Sequence, residues 1–149
     1  MHITRETDYA LRCVLYLSAR PEKVIDASEI ANEKFIPRSF LSKILQKLNR
    51  AGIVKSFKGY KGGFMIMKPP REISVLDIIE IFEGPAAMNR CAIDKKLCDL
   101  SDSCSVHPIW VDIRLCVEKK LKKQTFDKLL RKSRALEAAS KSAKAAGGK

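Results

Sequence analysis

The chain lacks several things, and each absence narrows its function. No stretch approaches the roughly 18 consecutive apolar residues of a transmembrane helix, so no membrane span is expected. The opening Met1-His2-Ile3-Thr4-Arg5-Glu6-Thr7-Asp8 enters an amphipathic pattern directly. It has none of the charged, apolar and small-residue zones of a signal peptide. The expected location is therefore the cytoplasm, where thiols stay reduced. The five cysteines are an odd number and contain no Cys-x-x-Cys pair, which argues against a disulfide framework. There is no glycine-rich phosphate loop, no histidine–carboxylate pair arranged as a base and no second pocket-forming domain, so an enzyme is the distant alternative. Acidic residues are also scarce: 17 Asp and Glu face 29 Lys and Arg, giving a formal net charge of +12. Eleven Lys and Arg against three Asp and Glu fall in residues 118–149. A balance of this sign suits a polyanion, nucleic acid first, although a basic tail can also serve solubility alone.

What is present reads as one domain of 149 residues, 46% of them apolar, enough to bury a proper core. Tyr9, Ala10, Cys13, Val14 and Leu17 recur at helical spacing over residues 6–19, and Pro21 breaks that helix. Val24-Ile25 is a short extended piece, and Asp26 or Ser28 can cap a second short helix with Ile30 and Ala31 inward. After the turn Phe35-Ile36-Pro37, with Pro37 at the first helical position, a third helix spans about Arg38 to Arg50. It buries Phe40, Leu41, Ile44, Leu45 and Leu48 and ends at Ala51-Gly52. Two helices across a short turn, the second with exposed Arg, Ser and Lys, fit a helix-turn-helix.

Ile53 to Phe57 and Phe64 to Met67 are β-rich runs around Lys58-Gly59-Tyr60-Lys61-Gly62-Gly63, which predicts a hairpin with a basic glycine tip. Following a helix-turn-helix, it reads as a wing. Lys68-Pro69-Pro70 ends it, and Ser74 caps a helix over Val75 to Phe82 with Leu76, Ile79 and Phe82 as its stripe. Gly84-Pro85 opens a loop that holds Cys91, Cys98, Cys104 and His107. Pro108 starts a longer helix whose stripe Ile109, Trp110, Ile113, Val117 and Leu121 calls for a second subunit as cover. Thr125 caps one more short helix to about Arg131. The Ala-, Ser- and Lys-rich remainder reads as a frayed or disordered tail.

These features together resemble the Rrf2 family of winged-helix transcription regulators, which includes iron–sulfur regulators of cluster biogenesis and of nitric oxide stress. The resemblance covers roughly residues 1–131. It rests on Thr7-Asp8-Tyr9-Ala10-Leu11-Arg12, Leu48-Asn49-Arg50-Ala51-Gly52-Ile53-Val54, Gly59-Tyr60-Lys61-Gly62-Gly63-Phe64, Ser74-Val75-Leu76-Asp77-Ile78-Ile79 and the three-cysteine loop. It implies a homodimer paired through the long helix, a recognition helix in the major groove and a wing at the minor groove. It also implies an iron–sulfur cluster, [2Fe-2S] or [4Fe-4S], on Cys91, Cys98 and Cys104. The fourth ligand is then His107 or, from the other subunit, Asp8. Ser42 stands where the cluster-biogenesis regulators carry a base-reading glutamate, so the resemblance does not imply their operator sequence.

The residues themselves leave alternatives open. Thiolates suit sulfide-bridged iron, and a harder fourth ligand makes a responsive site. Three cysteines and a histidine also suit zinc, and two of the cysteines could form a thiol switch. The intervals of six, five and two residues in the loop match no zinc knuckle. Asp8 can equally be a first-turn acid favoured by the helix dipole, and His107 a residue at the start of its helix. Cys13 and Cys116 read as packing cysteines. For DNA, Arg38, Ser39, Ser42 and Lys43 are the exposed early residues of the third helix, Arg38 being suited to a guanine edge. Lys58, Tyr60, Lys61 and Gly62 form the wing's contact set.

The expected fold is therefore mainly α with a small β-hairpin wing. Residues 1–83 form the winged helix-turn-helix, 84–106 the cysteine-rich cluster loop, 107–131 the dimerisation helix and a short following helix, and 132–149 the tail. The expected partners are a palindromic double-stranded DNA operator and a second copy of the chain, with no membrane.

Overall fold

The computed structural model describes residues 2–147. The order of elements is α1 (Arg5–Ser18), α2 (Ala27–Lys34), α3 (Arg38–Arg50), β1 (Val54–Phe57), β2 (Gly63–Ile66), α4 (Val75–Glu83), α5 (His107–Lys122) and α6 (Phe126–Ala146). Single 3-10 turns lie at Pro70–Glu72, Arg90–Ala92 and Lys95–Leu97. This is the helical, winged architecture expected.

Local chemistry sets most of the boundaries. Thr4 caps α1 by accepting from Thr7 N, and Asp26 caps α2 by accepting from Ser28 N at 2.7 Å. Ser74 and Asp77 form a reciprocal capping box at α4, satisfying two otherwise orphaned donors. Gly52 follows α3 at φ +70, a conformation open to glycine at little cost. Pro37 precedes α3 as its cap residue rather than starting it.

The core is the meeting of α1, α2 and α3 with the hairpin, α4 and the start of α6. Ala10, Cys13, Val14 and Leu17 of α1 pack with Ile30, with Leu41, Ile44, Leu45 and Leu48 of α3, and with Ile66, Ile78 and Phe126. β1 and β2 pair antiparallel with Val54 opposite Ile66 and Phe57 opposite Gly63. The extended piece at Ile25 adds to the hairpin: Ile25 N donates to Phe64 O at 2.9 Å and Phe64 N to Ile25 O at 2.8 Å. Gly63 makes this approach possible. A Cβ there would stand 2.3 Å from Ile25 O, and its φ is +156. A second bridge fixes the far end of the chain, where Val75 N donates to Gln124 O and Phe126 N to Ile73 O.

Beyond Pro37, the structure departs from the expectations at four places. Phe40 is 41% exposed rather than buried; it rests edge-on against Tyr9, with ring centroids 5.7 Å apart. Cys116 is exposed, not a packing residue. No residue of α5 is fully buried. Trp110, Ile113, Val117 and Leu121 are half-covered by the chain's own body, and Ile109 and Leu115 stand in solvent. The fourth departure is α6, which does not stop near Arg131 but runs to Ala146. The segment expected as a disordered tail is helical for most of its length, because alanine, lysine, leucine and glutamate sustain a helix even with nothing to pack against. Gly148 and Lys149 lie outside the described residues.

Candidate nucleic-acid interface and cysteine loop

α3 is the second helix of the helix-turn-helix, and its first turn carries no acidic residue. Its buried side is Leu41, Ile44, Leu45 and Leu48; Arg38, Ser39, Ser42 and Lys43 face solvent. Arg38 reaches back to donate to Ser28 Oγ. Ser42 Oγ donates to Arg38 O at 3.2 Å. Both are surface contacts that a better partner can replace. At the wing, Lys58, Tyr60 and Lys61 are exposed, Tyr60 completely. The turn is closed by Gly62 N donating to Gly59 O at 3.0 Å. A Cβ on Gly62 would meet Phe57 O at 2.5 Å, so Gly62 serves the turn itself. The structure thus presents the expected α3 and wing residues on the surface, with Gly62 half-buried beneath them.

The cysteine loop leaves α4 at Gly84 and is built from tight turns. Cys91 lies in the 3-10 turn Arg90–Ala92 and is buried at 9% exposure. Cys98 follows the turn Lys95–Leu97, which Asp94 caps by accepting from Lys96 N at 2.9 Å. Cys104 O accepts from His107 N at 3.2 Å at the head of α5. Cys98 and Cys104 are half-buried, and all five cysteines are free thiols. His107 Nδ1 is buried without a hydrogen-bond partner. Among the described residues no three His, Cys, Asp or Glu side chains lie close enough together to hold a metal ion. Asp8 is tied to its own helix by Arg12 Nη2 at 2.6 Å. The expected ligand set is therefore spread along the loop and α1, not gathered in one protomer. Cys13 is different in kind: with no exposure, desolvation pushes its thiol up to about 12, which makes it a packing residue and a poor nucleophile.

Sequence reading missed three sets of contacts, one joining the loop to α5 and two joining the helices to one another. Arg114 of α5 donates from Nη1 to Ala92 O at 2.6 Å and Ile93 O at 3.3 Å, and from Nε to Glu118 at 2.7 Å. Its pairing with Glu118 at four-residue spacing was the one visible signal. At the end of α4, Glu83 accepts from Thr4 N at 3.0 Å, Thr4 Oγ1 at 2.6 Å and Thr7 Oγ1. Those hydrogen bonds hold its carboxyl below the usual glutamate value. Lys47 of α3 bonds Glu6 of α1 at 2.9 Å and lies 5.0 Å from the centre of the Phe82 ring of α4. The loop is thereby linked to α5, α4 to α1, and α1 to the helix of the candidate DNA surface.

A family model for Rrf2, described as an iron-dependent transcriptional regulator, matches residues 3–132. The chain belongs to the Rrf2 family. A protein of Aquifex aeolicus (strain VF5), named as an HTH-type transcriptional regulator, is 33% identical over 124 residues, 82% of this chain and 86% of its own length. Among solved structures, CymR (YrzC), the global cysteine regulator of B. subtilis, superposes with a TM-score of 0.72 at 25% identity, covering 88% of this chain and 97% of CymR. T. potens IscR superposes with a TM-score of 0.69 over 89% of this chain and 88% of its own; at 22% identity that likeness concerns the fold. This Rrf2 protein is accordingly a DNA-binding transcriptional regulator and not an enzyme. Regulators of the family bind DNA, typically as dimers. No described helix is long and apolar enough to cross a membrane.

Proposed function

We propose that this Rrf2 regulator binds an operator as a homodimer and that an iron–sulfur cluster in the cysteine loop sets its affinity. One observation carries the reading: a single loop between the winged helix-turn-helix and α5 holds three free thiols, and His107 at the head of α5 has a buried Nδ1 that no protein group satisfies. A buried nitrogen without a partner is costly, and a metal bond is one way to satisfy it. The donor set fits the group. Cys91, Cys98 and Cys104 would supply thiolates, and His107, or Asp8 of the second subunit, would supply the fourth ligand. When bound, the cluster supplies iron whose ligation responds to iron supply, nitric oxide or oxidants.

The chain's own residues then carry the response. Arg114 fastens the segment after Cys91 to α5. The exposed Ile109 and Leu115 of α5 offer apolar area to a second copy. A change in the loop's fold shifts α5, and through Glu83 and Lys47 it reaches α1 and α3. Two recognition helices on one duplex must match whole helical turns of about 34 Å, so a small relative shift costs affinity. In the DNA complex Arg38, Ser39 and Ser42 read base edges from the start of α3, while Lys43, Lys58 and Lys61 meet phosphates. Tyr60 and Gly62 shape the wing that enters the minor groove.

A second reading, a thiol switch without a cluster, is favoured by the separation of the cysteines and by the likeness to a global cysteine regulator. Anaerobic purification separates the two. Matched iron and acid-labile sulfide, with visible charge-transfer absorption, supports the cluster. Zinc in their place makes the loop structural. Metal-free protein after anaerobic reconstitution, with Cys91, Cys98 or Cys104 paired on mild oxidation, supports the switch.

A further inference from the structure

Phe35 stands out in the turn between α2 and α3. It is the one non-glycine residue with positive φ among the described residues, at +52, and it is 85% exposed. Its N–H bonds back to Ala31 O and Asn32 O and so closes α2. Any residue's N–H could do that, and glycine would do it with least strain. The phenylalanine side chain adds steric cost in the left-handed region and, being exposed, returns almost nothing to the core. A large apolar ring held in solvent on strained backbone, three residues before the first residue of α3, calls for a contact outside the chain.

We propose that Phe35 is a specificity-determining residue that packs against the C5-methyl group of a thymine at the edge of the major groove. This rests on α3 being the recognition helix. The beginning of such a helix is what approaches base edges, and the turn that delivers it comes along. The Phe35 ring carries no charge and no hydrogen-bonding group, so phosphate and polar base edges are poor partners for it. The thymine methyl is the apolar feature that the major groove displays, and phenylalanine is among the side chains that read it. The neighbouring residues divide the work: Ile36 is buried and anchors the turn, while Pro37 and Arg38, next along the chain, are exposed.

The test uses the duplex that the full wild-type chain selects from a random-sequence library. In Phe35→Gly the strain is removed, so thermal stability should stay level or rise. Affinity for the selected duplex should fall about fourfold or more, the value of one buried methyl-sized group. The salt dependence should be unchanged, because no ion pair is lost. Replacing thymines one at a time by uracil should reveal a position that weakens wild-type binding by a similar factor and leaves Phe35→Gly unaffected. Overturning results are Phe35→Gly binding as tightly as wild type, or thymine-to-uracil changes that cost both proteins equally. An Arg38→Ala variant run in parallel separates the two ideas: loss there with no loss in Phe35→Gly keeps α3 as the reader and removes only Phe35.

Discussion

Arg114 Nη1 donates to Ala92 O at 2.6 Å while its Nε donates to Glu118 Oε1 at 2.7 Å, so one side chain on α5 holds the residue that follows Cys91. The Arg114 and Glu118 side chains are only 27% and 20% exposed, and a charged donor to a partly buried carbonyl contributes about 1–2 kcal/mol. Arg114→Ala should therefore lower stability by about that amount in urea denaturation and raise hydrogen exchange around Ala92 and Ile93. Arg114→Lys, which lacks the fork needed to serve two directions, should recover little. Wild-type stability and exchange in Arg114→Ala would show the link to be idle.

Glu83 gives a pH signature. Three donors on Thr4 and Thr7 hold its carboxyl below the ordinary value of 4.5. A depressed carboxylate contributes stability that is present above its unfolded pKa and lost as pH falls through its folded one. Glu83→Gln still accepts hydrogen bonds but does not titrate there. Its urea midpoint should fall less steeply than that of wild type as pH is lowered from about 5 toward 3. Parallel curves would mean that Glu83 carries no linkage.

The wing should act through charge. Lys58→Ala and Lys61→Ala should each weaken DNA binding across sequences and each reduce the slope of log affinity against log salt by about 1. Affinity and slope unchanged in both variants would take the wing out of the footprint.

Gly63 fixes where the wing stands. A Cβ there meets Ile25 O at 2.3 Å on backbone with φ +156. Gly63→Ala should destabilise the fold by about 2 kcal/mol or more, read from denaturant midpoints. Loss of DNA binding should exceed the unfolded fraction, since the Ile25–Phe64 bridge ties the hairpin to the segment before α2. A fully stable variant would contradict this placement.

Much of the fold was legible because its signals are local. The Ser74 cap, Gly52 after α3 and the glycine tip between two β-rich runs all act within a few residues; the reciprocal bond from Asp77 emerged only in the structure. The missing pieces depend on distance or on the lack of a pattern. The far half of α6 has no apolar period, so only the weaker propensity signal spoke for it. On α5, apolar spacing found Trp110, Ile113, Val117 and Leu121 but could not say that the chain itself half-covers them. Nor could it show that Leu115 and Cys116 face outward. Phe40 was expected in the core as part of the apolar stripe of α3, yet Tyr9 meets it at the surface. For the site, Arg38, Ser39, Ser42, Lys43, Lys58, Tyr60 and Lys61 are exposed, while Gly62 is half-buried. The bonds of Arg114, Glu83 and Lys47 span 22, 79 and 41 residues of chain, and no local pattern announces such contacts.

On the proposed function, the state of the cysteine loop controls DNA affinity through a cluster. The most direct measurement is the affinity of anaerobically purified protein for its selected duplex before and after iron is stripped by a chelator, with iron and sulfide counted in the same samples. The expected result is a change of tenfold or more that tracks loss of iron and is absent in Cys98→Ser. Equal affinity before and after stripping, or a tenfold change in protein that never held iron, would contradict it.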